Sequence, residues 1–426
     1  MKRLVLKPIK KINGSVTLPG SKSLSNRALL LSAIAAGTTV LENMLLGEDT
    51  SVMNQALKQL GIRIEEDRKE LEYKVYGIGK KFDVPSNRKF SLGNAGTAMR
   101  PLTAMLALVP SEFIVDGDKY MRQRPIAHLG DALRSLGAKV KYLINDGYPP
   151  LMIEGGNIEG GNVSVQGSIS SQYLSSLLMA LPMAKKNSIV TVSGELVSKP
   201  YVDITLNLMK SFGVEIYNEN YKRFTISGSQ RYSSPGRYLI EGDASSASYF
   251  FGAAAIKKGP VKVYGLGIKS VQGDYNFLDV IEKMGARVRR GENWTEVTGS
   301  NLKGIDIDLN HIPDAAMTIA TMALFAEGPT KIRNIGNWRV KETDRMHAMR
   351  EGLEALGAKV LSSEDSILID PPLRLKDATI KTYGDHRIAM SFSLAALGNA
   401  TVTIEDPDCT RKTYPDYFKA FASLSK

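Results

Sequence analysis

The chain is 426 residues long, 43% hydrophobic and 23% charged, a composition typical of a soluble globular protein with two domains. It has no run of about 18 apolar residues, which excludes a membrane-spanning helix, and residues 1–17 lack the apolar core of a secretory signal. The single cysteine, Cys409, excludes an internal disulfide and favours the cytoplasm.

The net charge of +11 suits two kinds of partner, nucleic acid and small polyanions. The cationic residues form no block of roughly five or six like charges and no tract interleaved with aromatic residues. Several stand singly near Gly, Ser and Asp at predicted helix starts. We therefore expect small anionic substrates, and a basic nucleic-acid-binding repeat protein is the remote alternative.

The first element that recurs along the chain is an amphipathic helix followed by Gly and a strand. Its first copy has apolar residues at 53, 56, 57 and 60, the spacing of one helix face. We expect each Gly to end its helix in a left-handed conformation. A sixth such helix, over residues 414–424, leaves no room for a following strand. The glycines are Gly61, Gly137, Gly213, Gly285 and Gly357, which lie 76, 76, 72 and 72 residues apart.

A second class of helix recurs with the same period and is apolar on most of its surface, which predicts burial. Short β-patterned pieces separate the helices, among them residues 15–18, 39–41 and 73–76. The sequence therefore predicts an α/β fold of six βαβαββ repeats in two groups of three. The second-class helices begin near Ser23, Gly96, Ser170, Asp243, Asp314 and Asp385.

The starts of these buried helices carry the candidate chemistry. Free amide groups and the partial positive charge at a helix start bind anions, and nearby Lys and Arg side chains add full charges. Ordinary helix capping explains any one such start, whereas six equivalent ones favour a common cleft. The starts led by Asp would repel phosphate, so those carboxylates are expected to accept hydrogen bonds from hydroxyl or ammonium groups.

Ten motifs along the chain make it resemble the EPSP (5-enolpyruvylshikimate-3-phosphate) synthases, from about residue 8 to the C-terminus. They occur in the family's order. The motifs are 18–23 (LPGSKS), 92–101 (LGNAGTAMRP), 122–125 (RQRP), 170–173 (SSQY), 197–201 (VSKPY), 241–246 (EGDASS), 313–316 (PDAA), 337–345 (NWRVKETDR), 385–387 (DHR) and 412–415 (KTYP).

The resemblance implies a two-domain inverse α/β barrel with three βαβαββ units in each domain and the active site in the cleft between them. We expect one domain from residues 1–20 and 240–426 and the other from 21–239. The implied reaction transfers the enolpyruvyl group of phosphoenolpyruvate (PEP) to the 5-hydroxyl of shikimate 3-phosphate by addition and then elimination. No metal or other cofactor is expected.

The resemblance also assigns roles to individual residues. Asp314 takes the proton of the 5-hydroxyl, Glu342 gives a proton to C3 of PEP and later removes one, and Lys22 contacts both substrates. From sequence alone, helix capping by Asp314 and pairing of Glu342 with Lys341 or Arg345 are the alternatives.

The remaining implied roles are in binding. The shikimate 3-phosphate set is Lys22, Ser23, Arg27, Ser170, Ser171, Gln172, Ser198, Tyr201, Asp314, Asn337 and Lys341. The PEP set is Lys22, Gly96, Arg124, Gln172, Arg345, Arg387 and Lys412.

The nearest alternative is the related enolpyruvyl transferase that acts on UDP-N-acetylglucosamine. That family usually presents a cysteine in a loop about a quarter of the way along the chain, and residues 111–124 contain none. We also expect a monomer, inhibition by glyphosate, and no metal site, because the four histidines lack metal-ligand spacing. Cys409 is expected to be an inert, partly buried thiol.

Overall fold

The structure is a computed structural model that describes residues 2–79, 82 and 88–425. It divides into two compact units: unit 1 consists of Met1–Gly20 and Glu241–Lys426, and unit 2 of Ser21–Ile240. The sequence prediction puts these boundaries at residues 20 and 240.

Helices of two kinds alternate along the described residues. The odd-numbered helices are the predicted buried class, and their starts agree with the predicted positions to within two residues. The even-numbered ones are the amphipathic class, and all five predicted glycines have a positive φ, from 78° at Gly213 to 113° at Gly285. The helices are α1 (Lys22–Ile34), α2 (Glu48–Gln59), α3 (Gly96–Leu106), α4 (Ala127–Ser135), α5 (Ser171–Ala180), α6 (Lys199–Ser211), α7 (Ala244–Lys257), α8 (Phe277–Lys283), α9 (Ala316–Met322), α10 (Arg345–Ala355), α11 (His386–Ser393) and α12 (Tyr417–Ser423).

The strands are short. The β-patterned pieces 39–41 and 73–76 fall within β3 and β5 of the following set, and the piece 15–18 extends one residue beyond β2. The strands are β1 (Arg3–Leu6), β2 (Gly14–Thr17), β3 (Ala36–Glu42), β4 (Arg63–Asp67), β5 (Glu72–Ile78), β6 (Arg88–Ser91), β7 (Glu112–Asp116), β8 (Lys139–Tyr142), β9 (Leu151–Glu154), β10 (Gly161–Gln166), β11 (Ser188–Ser193), β12 (Tyr217–Glu219), β13 (Arg223–Ile226), β14 (Arg237–Leu239), β15 (Val261–Tyr264), β16 (Arg287–Arg290), β17 (Trp294–Thr298), β18 (Asp306–Asp308), β19 (Thr330–Arg333), β20 (Lys359–Ser362), β21 (Ile367–Asp370), β22 (Ala378–Ile380) and β23 (Val402–Glu405).

Within the described residues the strands form five four-stranded sheets and one three-stranded sheet. Three sheets each come from one continuous βαβαββ stretch, in the orders β6-β7-β9-β8, β10-β11-β13-β12 and β18-β19-β21-β20. In each, the first two strands are parallel and the last two form an antiparallel hairpin beside them. This shared order is consistent with six structural repeats.

The other three sheets borrow a strand from a distant part of the same unit. In unit 2, β14 pairs in parallel with β3 and supplies the strand that precedes α1 in the repeat pattern. In unit 1, β2 pairs in parallel with β15 and supplies the strand that precedes α7 in the repeat pattern. Among the described residues no strand follows α12. Its place in the sheet is taken by β1, which pairs antiparallel with β23. Each borrowed strand covers a sheet edge that would otherwise present unpaired backbone groups.

The odd-numbered helices form the core of each unit because apolar residues surround them on nearly every side. In unit 2, α3 packs against α1 and α5, and in unit 1, α9 packs against α7 and α11. Polar bonds join the starts of neighbouring helices. Asn26 Nδ2 donates to Thr97 Oγ1 at 2.7 Å in unit 2, and the Ser248 and Thr318 hydroxyls are 2.7 Å apart in unit 1. Nowhere in the described chain is a helix both long and apolar enough to cross a membrane.

Candidate active site

A buried ion-pair cluster in unit 1 centres on Arg345, the first residue of α10, whose side chain is 1% exposed. Its Nη1 donates to Asp314 Oδ1 at 2.8 Å and its Nη2 to Glu342 Oε2 at 2.9 Å. Its Nε donates to Asp385 Oδ2 at 2.8 Å. Three carboxylates thus share one guanidinium group, and these charge-assisted bonds are strong because little water competes for them.

Three further cations surround the same two candidate catalytic carboxylates. Arg387 Nη2 lies 3.0 Å from Asp314 Oδ2, and Lys341 Nζ lies 3.9 Å from Asp314 Oδ1. Lys412 Nζ lies 3.8 Å from Glu342 Oε1. The cluster therefore alternates acidic and basic groups, an arrangement that can bind anions and also move protons.

The charge state of Asp314 follows from this setting. Burial raises the pKa of its carboxyl group, but the charges of Arg387, Lys341 and Arg345 outweigh burial and hold the pKa well below its ordinary value. Burial lowers the pKa of Arg345, but its carboxylate partners, Asp385 first, raise it above the ordinary value. Asp314 is therefore an ionised carboxylate at neutral pH.

The structure separates the three Asp residues that lead helix starts. Asp243 caps α7 by accepting from Ser246 N at 2.7 Å, and Asp385 caps α11 by accepting from Arg387 N at 2.9 Å. Asp314 precedes Ala315, the N-cap residue of α9, and its carboxylate contacts Arg345 and Arg387. The donors seen here are thus backbone amides and guanidinium groups, whereas the sequence predicted hydroxyl or ammonium donors. The Lys341 ammonium group lies 3.9 Å from Asp314, beyond hydrogen-bonding distance.

A fourth buried carboxylate, Asp274, belongs to this electrostatic environment and was missed by the sequence analysis. It accepts a short hydrogen bond from the Ser245 hydroxyl on α7. Burial first and then the charge of Asp314 raise its pKa, Arg387 opposes them, and the resulting pKa is about 6. Asp274 sits in a 3₁₀ helix, Gly273–Asn276, outside the buried helix starts on which the sequence analysis concentrated.

In unit 2, the start of α1 gathers cations among hydroxyl and carbonyl oxygens. Arg27 Nε donates to Thr205 Oγ1 at 2.9 Å, and its Nη1 donates to the Ser23 carbonyl at 3.0 Å. Burial lowers the pKa of Arg27 to about 10, against the opposing effect of Tyr201, so the group remains charged at neutral pH. Lys22 Nζ, also buried, lies 3.5 Å from Asp49 Oδ2.

Side chains from three elements of unit 2 converge on the backbone of Gly96, the first residue of α3. A Cβ atom placed there would lie 2.5 Å from Arg100 Nη1, 3.0 Å from Arg124 Nη2 and 3.1 Å from Gln172 Oε1. Arg124 is fixed by Asn94, to whose carbonyl and side-chain oxygens its Nη1 donates at 3.1 and 2.8 Å. A side chain at Gly96 would therefore require the ends of these side chains to move away from the start of α3.

The starts of α5 and α6 bring the remaining predicted residues of unit 2. Ser170 caps α5 by accepting from Gln172 N at 3.3 Å, and Ser171 is buried behind it. Ser198 precedes α6 with a φ of 56°, in the left-handed region that serine seldom adopts. Its carbonyl accepts from Tyr201 N at 3.1 Å, which fixes this turn.

The predicted site residues thus fall into two sets, one in each unit. In unit 1, all of the predicted residues except Asn337 belong to the ion-pair cluster. Asn337 is buried in the 3₁₀ helix Gly336–Val340, which ends one residue before Lys341. In unit 2 they are at or near the starts of α1, α3, α5 and α6. The unit 1 set is Asp314, Asn337, Lys341, Glu342, Arg345, Arg387 and Lys412. The unit 2 set is Lys22, Ser23, Arg27, Gly96, Arg124, Ser170, Ser171, Gln172, Ser198 and Tyr201.

Other reactive side chains lie in settings that suit a structural role. Over the described ranges, no group of three or more His, Cys, Asp or Glu side chains is placed to hold a metal ion. Burial lowers the pKa of His311 and raises that of the Cys409 thiol well above its ordinary value, so the thiol stays protonated. The inert character predicted for Cys409 agrees with this.

Comparison with known proteins identifies the family. The family model described as EPSP synthase (3-phosphoshikimate 1-carboxyvinyltransferase) matches residues 6–421. The chain is 55% identical over 426 residues to a 3-phosphoshikimate 1-carboxyvinyltransferase of Aeromonas salmonicida, with all of both chains covered.

Solved structures agree with the sequence relatives. An EPSP synthase from Acinetobacter baumannii superposes with a TM-score of 0.83 and 27% identity, covering 99% of this chain and 98% of that one. The enolpyruvyl transferase NikO from Streptomyces tendae shares the fold, with a TM-score of 0.80, 17% identity and coverage of 99% and 97%. The chain therefore belongs to the EPSP synthase family.

Proposed function

We infer that this protein transfers the enolpyruvyl group of PEP to the 5-hydroxyl of shikimate 3-phosphate, giving 5-enolpyruvylshikimate 3-phosphate and phosphate. The relatives named above support the activity. The observation that carries its chemistry is the unit 1 cluster, in which two carboxylates, Asp314 and Glu342, share the cations of Arg345, Arg387 and Lys412. Because the two substrates react with each other, we propose that residues of both units act on the same bound pair.

We propose that unit 2 supplies most of the contacts to shikimate 3-phosphate. Arg27 is supported in this role by its planar fork, which is held in place by Thr205 and Ser23 and can bind a phosphate through two parallel hydrogen bonds. Ser170 and Ser198 add hydroxyl groups at helix starts, where amide groups also favour an anion. The proposed set is Lys22, Ser23, Arg27, Ser170, Ser171, Gln172, Ser198 and Tyr201, with Asp314, Asn337 and Lys341 from unit 1.

PEP is proposed to bind through guanidinium and ammonium groups, since it carries both a phosphate and a carboxylate. Arg124 beside the Gly96 amide suits one anionic group, as the approach of Arg124 Nη2 to that backbone indicates. The proposed set is Lys22, Gly96, Arg124, Gln172, Arg345, Arg387 and Lys412.

Asp314 is proposed to take the proton from the 5-hydroxyl as its oxygen forms a bond to C2 of PEP. In the ligand-free protein the low pKa of Asp314 makes it a weak base. An anionic substrate bound to Arg387 and Arg345 would offset their charge and raise that pKa. The carboxylate would therefore become a competent base only when PEP is in place.

Glu342 is proposed to give a proton to C3 of PEP in the addition step and to remove one from C3 in the elimination step. As the second proton leaves, the C2–O bond to phosphate breaks, and Lys22 protonates the departing oxygen. Glu342 begins and ends each cycle as the protonated carboxyl group. The proton that Asp314 takes from the 5-hydroxyl balances the one that Lys22 gives to phosphate, so exchange of one proton with water restores both residues without a cofactor.

Phosphate release tests the activity. We expect the protein to release phosphate from PEP only when shikimate 3-phosphate is present. UDP-N-acetylglucosamine in place of shikimate 3-phosphate should give none, which separates this function from the related transferase. Release that does not depend on shikimate 3-phosphate would contradict the proposal.

We further propose a cytoplasmic monomer that glyphosate inhibits in competition with PEP, as Gly96 and Pro101 match the glyphosate-sensitive form of the motif. Raising the PEP concentration should restore activity in the presence of millimolar glyphosate. Turnover that such glyphosate leaves unchanged would contradict this part of the proposal.

A further inference from the structure

The Arg387 guanidinium group forms a hydrogen bond with a buried tyrosine that lies outside the sequence motifs. Tyr249 lies on α7 and is fully buried, and its Oη accepts from Arg387 Nη1 at 3.4 Å. The other terminal nitrogen, Nη2, lies 3.0 Å from Asp314 Oδ2. Two groups of different charge therefore hold the two ends of one guanidinium fork.

The ring of Tyr249 is fixed by the C-terminal helix. Its centroid lies 5.6 Å from that of Tyr417 on α12, with the ring planes at 77°. The Tyr417 hydroxyl lies 2.7 Å from Ser393 Oγ and 3.2 Å from the Met390 carbonyl. Ser393 ends α11, and Arg387 lies near the start of the same helix. The contacts therefore run from Arg387 to Tyr249 on α7, from Tyr249 to Tyr417 on α12, and from Tyr417 back to α11.

The charge of the two partners differs in a way that matters for anion binding. Burial raises the pKa of Tyr249 to about 12, although the charge of Arg387 opposes it, so the phenol is neutral near pH 7. A carboxylate partner reduces the positive charge that Arg387 can offer to an anion. A neutral phenol orients the guanidinium group and leaves its charge intact.

We propose that Tyr249 is a positioning residue for PEP, whose hydroxyl holds the Arg387 guanidinium group in the orientation that receives an anionic group of this substrate. This inference rests on the proposed binding of PEP by Arg387. Tyr249 does not touch the substrate and acts only through Arg387.

The test is Tyr249→Phe, which removes the hydroxyl and keeps the ring. We expect the KM for PEP to rise by about fivefold, because the bond is long at 3.4 Å and its loss should cost no more than that of an ordinary neutral hydrogen bond. The kcat should stay within about twofold, and the KM for shikimate 3-phosphate should not change, because one orienting bond is lost and no proton-transfer group.

Tyr417→Phe is the matched control, since it removes a second buried hydroxyl one ring farther from Arg387. Both variants are expected to melt at a lower temperature than the wild type, so kinetics are measured well below either melting temperature. Only Tyr249→Phe should raise the KM for PEP. An unchanged KM in that variant, or an equal rise in both, would overturn the inference.

Arg387→Lys separates this inference from the proposed function. A large rise in the KM for PEP in Arg387→Lys with no rise in Tyr249→Phe overturns the positioning role alone. An unchanged KM for PEP in Arg387→Lys overturns the binding role of Arg387 and the inference with it.

Discussion

The site arginines of the two units have different partners. In unit 2, Arg27 and Arg124 are oriented by neutral oxygens, those of Thr205, Ser23 and Asn94. In unit 1, Arg345 is held by three carboxylates, and each further cation of the cluster lies beside Asp314 or Glu342. Neutral partners preserve positive charge, whereas carboxylate partners divide it.

This difference indicates that the arginines of unit 2 and the carboxylates of unit 1 have different roles. Arginines with neutral partners are suited to binding an anion. Carboxylates that lie among several cations are suited to moving protons, because their charge environment changes when an anion binds. We therefore expect changes to Arg27 and Arg124 of unit 2 to act mainly on KM and changes to the carboxylates of unit 1 to act mainly on kcat.

The largest effect is expected from Asp314→Asn. The amide cannot take the proton from the 5-hydroxyl, so kcat should fall by about 10²- to 10⁴-fold, the contribution typical of a general base. The fold should persist because Arg345 keeps two carboxylate partners, Glu342 and Asp385. Steady-state phosphate release measures kcat, and the melting temperature checks the fold.

Asp306→Asn is the matched control for this change, since Asp306 lies in the same unit and forms an exposed ion pair with Arg333. Its kcat should equal that of the wild type. If Asp314→Asn kept wild-type kcat, Asp314 would have no part in the proton transfer.

A smaller effect is expected from Arg27→Lys in unit 2. Lysine keeps the charge but loses the planar fork, so the KM for shikimate 3-phosphate should rise on the order of 100-fold while kcat changes little. Arg63→Lys, at an exposed pair with Glu65 in the same unit, should leave both constants unchanged. A fall in kcat with an unchanged KM in Arg27→Lys would break the proposed division between the units.

The smallest effect is expected from Asp274→Asn, and it appears in stability. The pKa of Asp274 is raised from 3.8 to about 6, so between these values the folded protein holds a proton that the unfolded chain has released. The free energy of unfolding contributed by this group therefore falls as pH rises through this window, and the loss is complete above it. Asparagine has no such loss, so from about pH 4.5 to 7.5 the variant should gain about 2 kcal/mol relative to the wild type.

Urea unfolding followed by tryptophan fluorescence measures this shift. Both tryptophans of the chain, Trp294 and Trp338, lie in unit 1 together with Asp274, so the signal reports the unit that contains the change. A stability difference between variant and wild type that is the same at both pH values would show that Asp274 does not titrate in this window.

The sequence was informative about features that repeat. The glycines after the amphipathic helices need a positive φ, and this local requirement made five helix ends predictable, Gly61 among them. The pairing of β1 with β23 was not predictable, because nothing local marks a strand that joins a sheet nearly 400 residues away. Hydrophobic alternation identifies a strand but not its partner.

The candidate site shows the same limit. Asp314 and Arg387 stand in motifs, but their contact depends on the packing of α9 against α11. Asp274 and Tyr249 were missed because an acidic residue in a short 3₁₀ helix and a tyrosine in an apolar helix have ordinary structural explanations. Their proximity to the cluster became visible only in three dimensions.

The most direct test of proton chemistry at the unit 1 carboxylates follows deuterium during turnover in D₂O. Proton NMR of the product should show deuterium in the vinyl CH₂ group, because an exchangeable proton of Glu342 joins C3 before any of the three hydrogens leaves. Glu342→Gln should slow product formation and deuterium entry together. A wild-type product with both vinyl protons at full intensity, or undiminished deuterium entry in Glu342→Gln, would contradict this chemistry.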